Sequence, residues 1–301
     1  MPHIIFVMLI SVSVALLSSC TDTPRWAPEN RVHPKEQEVQ YIVDTDPSDT
    51  KDPDDRLAAF FLQRAGNNPQ LVSATNGNVP LKSAFTNARE LWPNHLVVPG
   101  AKNCTDDLVQ RYQQELTRQE LTILALGSMR NIALVLACHP ELAQRIRKVI
   151  IVAGRTPNEE FWLNPDQKVV RPMQDLNFET DRQAMRRVLE KSIPVTFVPF
   201  AAGNMVRILP LDLQGIPAVE RIRVRDHAST LAIVGGGWTI PPFDLVAAAY
   251  LLQPASFNCR RVQAEVGKDL VLRQSDKATD QLCLPSDPKY LQALLLTVLN
   301  G

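Results

Sequence analysis

The stretch Tyr41-Ile42-Val43-Asp44-Thr45-Asp46-Pro47-Ser48-Asp49-Thr50-Lys51-Asp52-Pro53-Asp54-Asp55 joins a mostly apolar run, residues 39–43, to an amphipathic segment, residues 56–63. The run reads as a buried strand. The segment reads as a helix with Leu57, Phe60 and Phe61 on one face. Six aspartates and one lysine therefore gather where a central strand ends and a helix begins, the place where open α/β sheets bind their ligands. So many carboxylates repel one another unless something cationic sits among them. A hard divalent metal, most simply Ca2+, meets that need because it takes oxygen ligands in irregular geometry. The plain rival is a solvated acidic loop, with Asp54 and Asp55 favoured by the dipole at a helix N-terminus. These residues alone leave both open.

Beyond this stretch, strand-like and helix-like segments alternate. Short strands are expected at 71–75, 95–98, 121–126, 148–153 and 194–198. Helices are expected at 81–92, 106–116, 181–190, 220–234, 244–252 and 289–299, with a further helix capped by Ser128 and running to 137. Residues 259–266 and 270–274 read as a hairpin pair. Such alternation predicts an α/β fold, an open mostly parallel sheet with helices on both faces. Residues 157–172, with Trp162 and no clear period, read as a long loop, and long loops often cover sites.

Length and charge narrow the class. A chain of 301 residues can bury a full core. Its formal net charge is zero and it has no basic stripe, which argues against nucleic acid as a partner. No Cys-x-x-Cys or Cys/His spacing exists, which argues against zinc.

Residues 4–17 are apolar or small, too short for a comfortable membrane span but fitting the h-region of a secretory signal. The ending Leu17-Ser18-Ser19-Cys20 resembles a bacterial lipobox. That resemblance implies a lipoprotein signal at 1–19 and lipidation of Cys20. With Thr21 following, it implies an outer-membrane anchor facing the periplasm. The n-region departs from the pattern, having His3 and no Lys or Arg, and an uncleaved anchor is the rival reading. Residues 20–38, with three prolines, read as a tether, and 39–301 as the folded domain. In an exported chain the remaining cysteines can pair. Cys259 and Cys283 suit a local bridge, Cys138 reads as a small buried hydrophobe on a helix, and the pairing among these three and Cys104 stays open.

Polar residues recur beside the strand ends: Asp44 and Asp46, Asn76 and Asn78, Asn131, Asp175 and Asn177, and Asp244 opening an apolar helix. Singly each has a dull explanation, a turn residue for Asn78 and an N-cap for Asp244. In order they resemble the inosine-uridine preferring nucleoside hydrolases. Asp44-Thr45-Asp46-Pro47 with Asp54-Asp55 resembles the family's acidic signature, and Thr75-Asn76-Gly77-Asn78-Val79-Pro80 with Asn87-Ala88 its second motif. The runs Leu124-Ala125-Leu126-Gly127-Ser128-Met129-Arg130-Asn131-Ile132-Ala133 and Lys148-Val149-Ile150-Ile151-Val152-Ala153-Gly154 look like its next strands. Asp175-Leu176-Asn177-Phe178 resembles a ribose-contacting motif, and Phe243-Asp244-Leu245-Val246-Ala247 its His-Asp motif.

The resemblance implies a Ca2+ held by Asp46, Asp55, Asp244 and the backbone carbonyl of Arg130. It implies sugar contacts from Asp54, Asn78, Asn177 and Asp175, with Asp44 bracing from behind and Asp46 as general base. The implied reaction is hydrolysis of a nucleoside or related N-riboside. Three departures stand out. The loop 48–53 is longer than the family's, so Asp49 or Asp52 is a possible substitute ligand. Phe243 stands where the family has histidine, so leaving-group activation must come from elsewhere, with Trp162 or Trp238 as stacking candidates. Asp175 replaces a glutamate. None of His3, His33, His95, His139 and His227 falls clearly at the site. A non-catalytic metal- or riboside-binding protein on the same fold is the alternative. A dehalogenase-like phosphatase, suggested by Asp44-Thr45-Asp46, leaves the other motifs unexplained. Homo-oligomerisation is left open.

Overall fold

The computed structural model describes residues 39–49, 52–162, 172–233 and 237–301. The signal, Cys20 and the tether lie outside them. The first half runs β1 (Tyr41–Thr45), α1 (Asp54–Arg64), β2 (Leu71–Ala74), α2 (Leu81–Leu91), β3 (Val97–Val98), α3 (Asp107–Arg118), β4 (Leu121–Ala125) and α4 (Arg130–Cys138). Then follow β5 (Ile146–Ile151), α5 (Leu176–Glu179), α6 (Arg182–Leu189), β6 (Val195–Phe197), α7 (Phe200–Met205) and α8 (Ala218–Ile233). The chain closes with α9 (Phe243–Leu252), β7 (Phe257–Val266), β8 (Leu270–Gln274), β9 (Gln281–Pro285) and α10 (Pro288–Asn300).

The strands form a nine-stranded sheet in the order β3-β2-β1-β4-β5-β6-β9-β7-β8. From β3 to β9 every pairing is parallel, and only β7 runs antiparallel to its neighbours β9 and β8. The mostly parallel architecture is therefore as the alternation predicts. The β7–β8 hairpin also forms as expected, but β9 between it and β6 was not foreseen in the sequence. Its five residues gain their strand character from a partner at β6 far back in the chain.

Both faces of the sheet are covered, so the central strands are apolar on both sides. Tyr41 and Val43 of β1 point into a core built with Leu57 and Phe61 of α1, Leu245 and Val246 of α9, and Leu291 and Leu295 of α10. Ile42 points the other way, toward Leu108 and Tyr112 of α3, Ile132 and Val135 of α4, and Met185 of α6. Each such side chain stabilises the fold by about 1.5–3 kcal/mol when fully buried. β1 is thus fixed at the centre of the sheet, between β2 and β4, and its C-terminal end with it.

Two local expectations are corrected. Ser128 does not cap α4: the helix starts at Arg130 after Met129. The Ser128 hydroxyl instead bonds Asn76 O and the Thr75 hydroxyl, each at 3.1 Å, tying the loop after β2 to the loop after β4. Cys138 is not a free buried hydrophobe. As the last residue of α4 it lies within reach of Cys104 and is disulfide-bonded to it. Cys259 and Cys283 face each other across β7 and β9 and form the second bridge.

Candidate active site at the carboxyl edge of the sheet

The acidic loop folds back onto the sheet. Pro53 precedes α1, and Asp54 and Asp55 occupy its first turn, both buried. Thr45 donates its hydroxyl to Asp55 Oδ1, and the Asp46 backbone N–H reaches the same oxygen at 3.2 Å. The helix start is thus stitched to the end of β1. Asp54 accepts from the backbone N–H of Asp55 (3.0 Å) and of Asp244 (3.2 Å), bringing a residue 190 positions away into the nest. Asp244 is not the N-cap of α9, since the helix begins at Phe243 after Pro242. It is the single ionisable acid on a helix otherwise apolar and almost wholly buried. A carboxylate there is costly unless something compensates its charge.

Asp54, Asp55 and Asp244 each present an oxygen within 4.8 Å of the others. Asp46 is joined to this group through Asp55, and its own Oδ2 accepts the Asn78 N–H at 2.5 Å. Two glycines make room for it. A Cβ on Gly77 would sit 2.0 Å from Asp46 Oδ2, and one on Gly127 would sit 2.7 Å from Asp46 Oδ1. Asp46 Oδ1 and Asp55 Oδ2 are buried with no hydrogen-bond partner. Asp52 lines the same basin, its side chain accepting from the Asp54 N–H at 3.3 Å. Asp49 is exposed, so of the two loop acids it is Asp52 that reaches the basin.

Burial pushes Asp46 up to about 7, with the charges of Asp44 and Asp52 adding to it. Asp54, Asp55 and Asp244 are held well above the usual carboxylate range, first by burial and then by neighbouring aspartates. Among the described residues, the charges that act on these four groups are all carboxylates. Orphaned buried oxygens, an all-oxygen donor set and uncompensated negative charge fit a hard divalent cation.

Asp44 faces the α3–α4 side. It accepts from Ser73 Oγ (2.5 Å) and Asn131 Nδ2 (2.8 Å), with Tyr112 bonded behind Ser73 (2.8 Å). Burial raises it to about 7. Arg130 directs its guanidinium outward, to Asp181 (3.0 Å) and Asn76 (2.8 Å). Asn177 bridges two strand ends, donating to Leu126 O (2.7 Å) and Val152 O (2.9 Å). Asp175 caps α5 and accepts from Gly154 N (2.7 Å) and Phe178 N (3.2 Å); burial lifts it to about 6.

Asp54 and Asp244 open into a pocket lined also by Asn78, Asp175 and Asn177 and by three rings, Phe161, Phe200 and Phe243. Phe161 stacks on Phe200 with centroids 4.0 Å apart and meets Phe243 edge to face at 5.3 Å. These rings supply the aromatic wall that was expected of Trp162 or Trp238. Trp162 instead bonds Glu160, and Trp238 is exposed beside α8. None of the described lining residues is a histidine. Phe161 and Met173 flank the long loop, whose centre, 163–171, lies outside the described residues. Phe243 stood out in the sequence as the residue in place of a histidine, but nothing there singled out Phe161 or Phe200, since Phe161 lies in that loop and α7 was not foreseen.

The profile of the inosine-uridine preferring nucleoside hydrolases matches residues 98–281, more than half of the chain. The chain belongs to this family. The match begins at Val98, the last residue of β3, so the place of the acidic stretch before it rests on geometry. The pyrimidine-specific ribonucleoside hydrolase RihA of Klebsiella pneumoniae is 30% identical over 114 residues, 38% of this chain and a third (33%) of that protein's length. The non-specific ribonucleoside hydrolase RihC of Salmonella paratyphi A is 24% identical over 258 residues, covering 73% of this chain and 81% of the relative. A plant nucleoside hydrolase structure superposes with a TM-score of 0.75 at 17% identity, covering 88% of this chain and all of that one, which establishes the shared fold.

Proposed function

We propose that the chain hydrolyses the N-glycosidic bond of ribonucleosides with Ca2+ as cofactor, as an exported protein anchored to the cell envelope through a lipidated Cys20. One observation carries the catalytic reading. Acids from opposite ends of the domain, Asp54 and Asp55 with Asp244, converge beneath a pocket and leave buried oxygens of Asp46 and Asp55 unpartnered. Asp46, Asp54, Asp55 and Asp244 are the side chains that would hold the ion. When bound, it supplies a hard positive charge that acidifies a neighbouring water.

The residues do the rest. Asp46 keeps Oδ1 free while Asn78 and the two glycines fix its carboxylate, so it is set to take the proton of the attacking water. Bond cleavage leaves positive charge on the ribose, and the surrounding carboxylates stabilise it in place. Asp54, Asn78, Asp175 and Asn177 line the volume a sugar would fill. Two disulfides support an oxidising compartment, in keeping with the lipobox. The non-catalytic alternative draws support from one feature, Phe243 at a position where a proton donor would stand.

The test uses the chain without residues 1–20. Purified protein is expected to contain stoichiometric calcium and to release base from a nucleoside panel, with Asp244→Asn losing both. Calcium bound with no turnover across the panel would leave only the binding reading. Separately, radiolabelled palmitate should mark the full chain and not Cys20→Ser; equal labelling would remove the anchor.

A further inference from the structure

Two chemistries line the pocket. One is carboxylate, from Asp52, Asp54, Asp175 and Asp244. The other is carbon, from the half-buried rings of Phe161 and Phe243, with Phe200 stacked on Phe161 and with the exposed Met173 and Leu176. Among the described lining residues none is His, Lys, Arg, Tyr or Cys. The one carboxyl among them that stands on α5, Asp175, has both oxygens engaged by backbone N–H groups. Asn177 commits its amide nitrogen to two carbonyls. Among the described residues that line the pocket with these rings, none is set to protonate a departing base.

Charge points the same way. A divalent cation cancels two of the negative charges that Asp46, Asp52, Asp54, Asp55 and Asp244 can carry, so the basin stays negative. Aromatic faces attract cations as well. A neutral or anionic base gains from neither wall.

We propose that the preferred substrates are cationic N-ribosides, N-ribosylpyridinium compounds above all, whose base leaves as a neutral molecule without being protonated; this rests on the hydrolase reading above. The C1′–N bond breaks with its electron pair passing to the ring nitrogen, which cancels the pyridinium charge. Water forms the new C1′–O bond and gives its proton to Asp46, and from there to solvent. Ribose, neutral base and one proton result. A neutral nucleoside requires a proton at the leaving nitrogen to depart with comparable ease, and the described pocket places no acid there.

The calcium-loaded full chain is assayed with nicotinamide riboside, inosine, uridine and p-nitrophenyl riboside. The last is neutral and also needs no proton on leaving. We expect kcat/KM for nicotinamide riboside to exceed those for inosine and uridine by about a hundredfold, the lower end of what a positioned general acid contributes. Phe161→Leu should lower kcat/KM for nicotinamide riboside by about tenfold while sparing p-nitrophenyl riboside, since only the first is held by a cation–ring contact. Phe243→His, which adds a donor, should narrow the gap between inosine and nicotinamide riboside. Inosine or uridine turned over as well as nicotinamide riboside overturns the cationic preference and leaves the hydrolase reading standing. Turnover of p-nitrophenyl riboside alone, whose scissile bond is C–O, overturns the cationic preference and the N-glycosidic reading together. Turnover of none of the four, with calcium bound, overturns the hydrolase reading itself.

Discussion

At the scale of single residues, the site depends on space kept open around Asp46. Its Oδ2 is held by Asn78 and its Oδ1 is left over. Asp46→Asn keeps the shape and removes the base. We expect kcat to fall by about 10²- to 10⁴-fold, the usual range for a general base, with the fold unchanged by circular dichroism. Gly77→Ala tests the geometry without touching the carboxylate's chemistry. Its new methyl would overlap Asp46 Oδ2, so the carboxylate must move. Turnover should drop in this variant while calcium content measured by atomic absorption persists through Asp54, Asp55 and Asp244. Full activity in Gly77→Ala would show that the position of Asp46 does not matter. Much at this scale was legible beforehand, because acids at a strand end and Gly-Asn turns carry their chemistry locally. The role of Asn177 was not: a side-chain amide reads alike whether it meets a ligand or the carbonyls of Leu126 and Val152.

At the scale of elements, α1 presents Asp54 and Asp55 only if its first turns are held. Arg56 does this from a buried position. It donates Nε to Glu220 Oε2 at 2.7 Å and a second nitrogen to Glu220 Oε1 at 2.6 Å, with Glu90 at 3.2 Å. The pair ties α1 to α8 and α2. A bidentate guanidinium–carboxylate contact is strong, but its value lies in both partners being present. Glu220→Ala leaves a buried guanidinium with only the exposed Glu90. We expect a loss of about 3–5 kcal/mol in urea unfolding, as for other broken buried pairs, with lower activity as α1 loosens. Replacing Arg56 and Glu220 together by apolar residues of similar size should recover most of that stability. If Glu220→Ala costs no more than a surface pair, α1 is held by packing alone. Sequence reading found α1 and α8 but gave Arg56 no role, since its partner lies 164 positions away. The same distance hid β9 and α7. α7 is six residues long, and its Gly203 is dictated by contact with Phe243, not by any local pattern.

For the molecule as a whole, the buried acids link folding to pH and to metal. In the metal-free protein burial raises Asp44 and Asp46 to about 7 and Asp175 to about 6, whereas in an unfolded chain aspartate titrates near 3.9. Between those values the folded state binds more protons than the unfolded one, so stability falls as pH rises from about 4 toward 7. A cation acts in the opposite sense. It binds the deprotonated carboxylates of the native nest, so its stabilising effect grows as pH rises. The melting temperature of metal-stripped protein should therefore decline between roughly pH 4 and 7, by a few degrees for each kcal/mol lost. With saturating calcium the decline should flatten or reverse, so that the gap between the two curves widens with pH. Asp244→Asn should remove most of the gap by taking away a ligand. It should also raise the metal-free curve at the alkaline end, because one repelling charge has gone. Parallel curves for stripped and calcium-loaded protein would mean that these acids fold without a cation among them, and that the nest serves some purpose other than holding one.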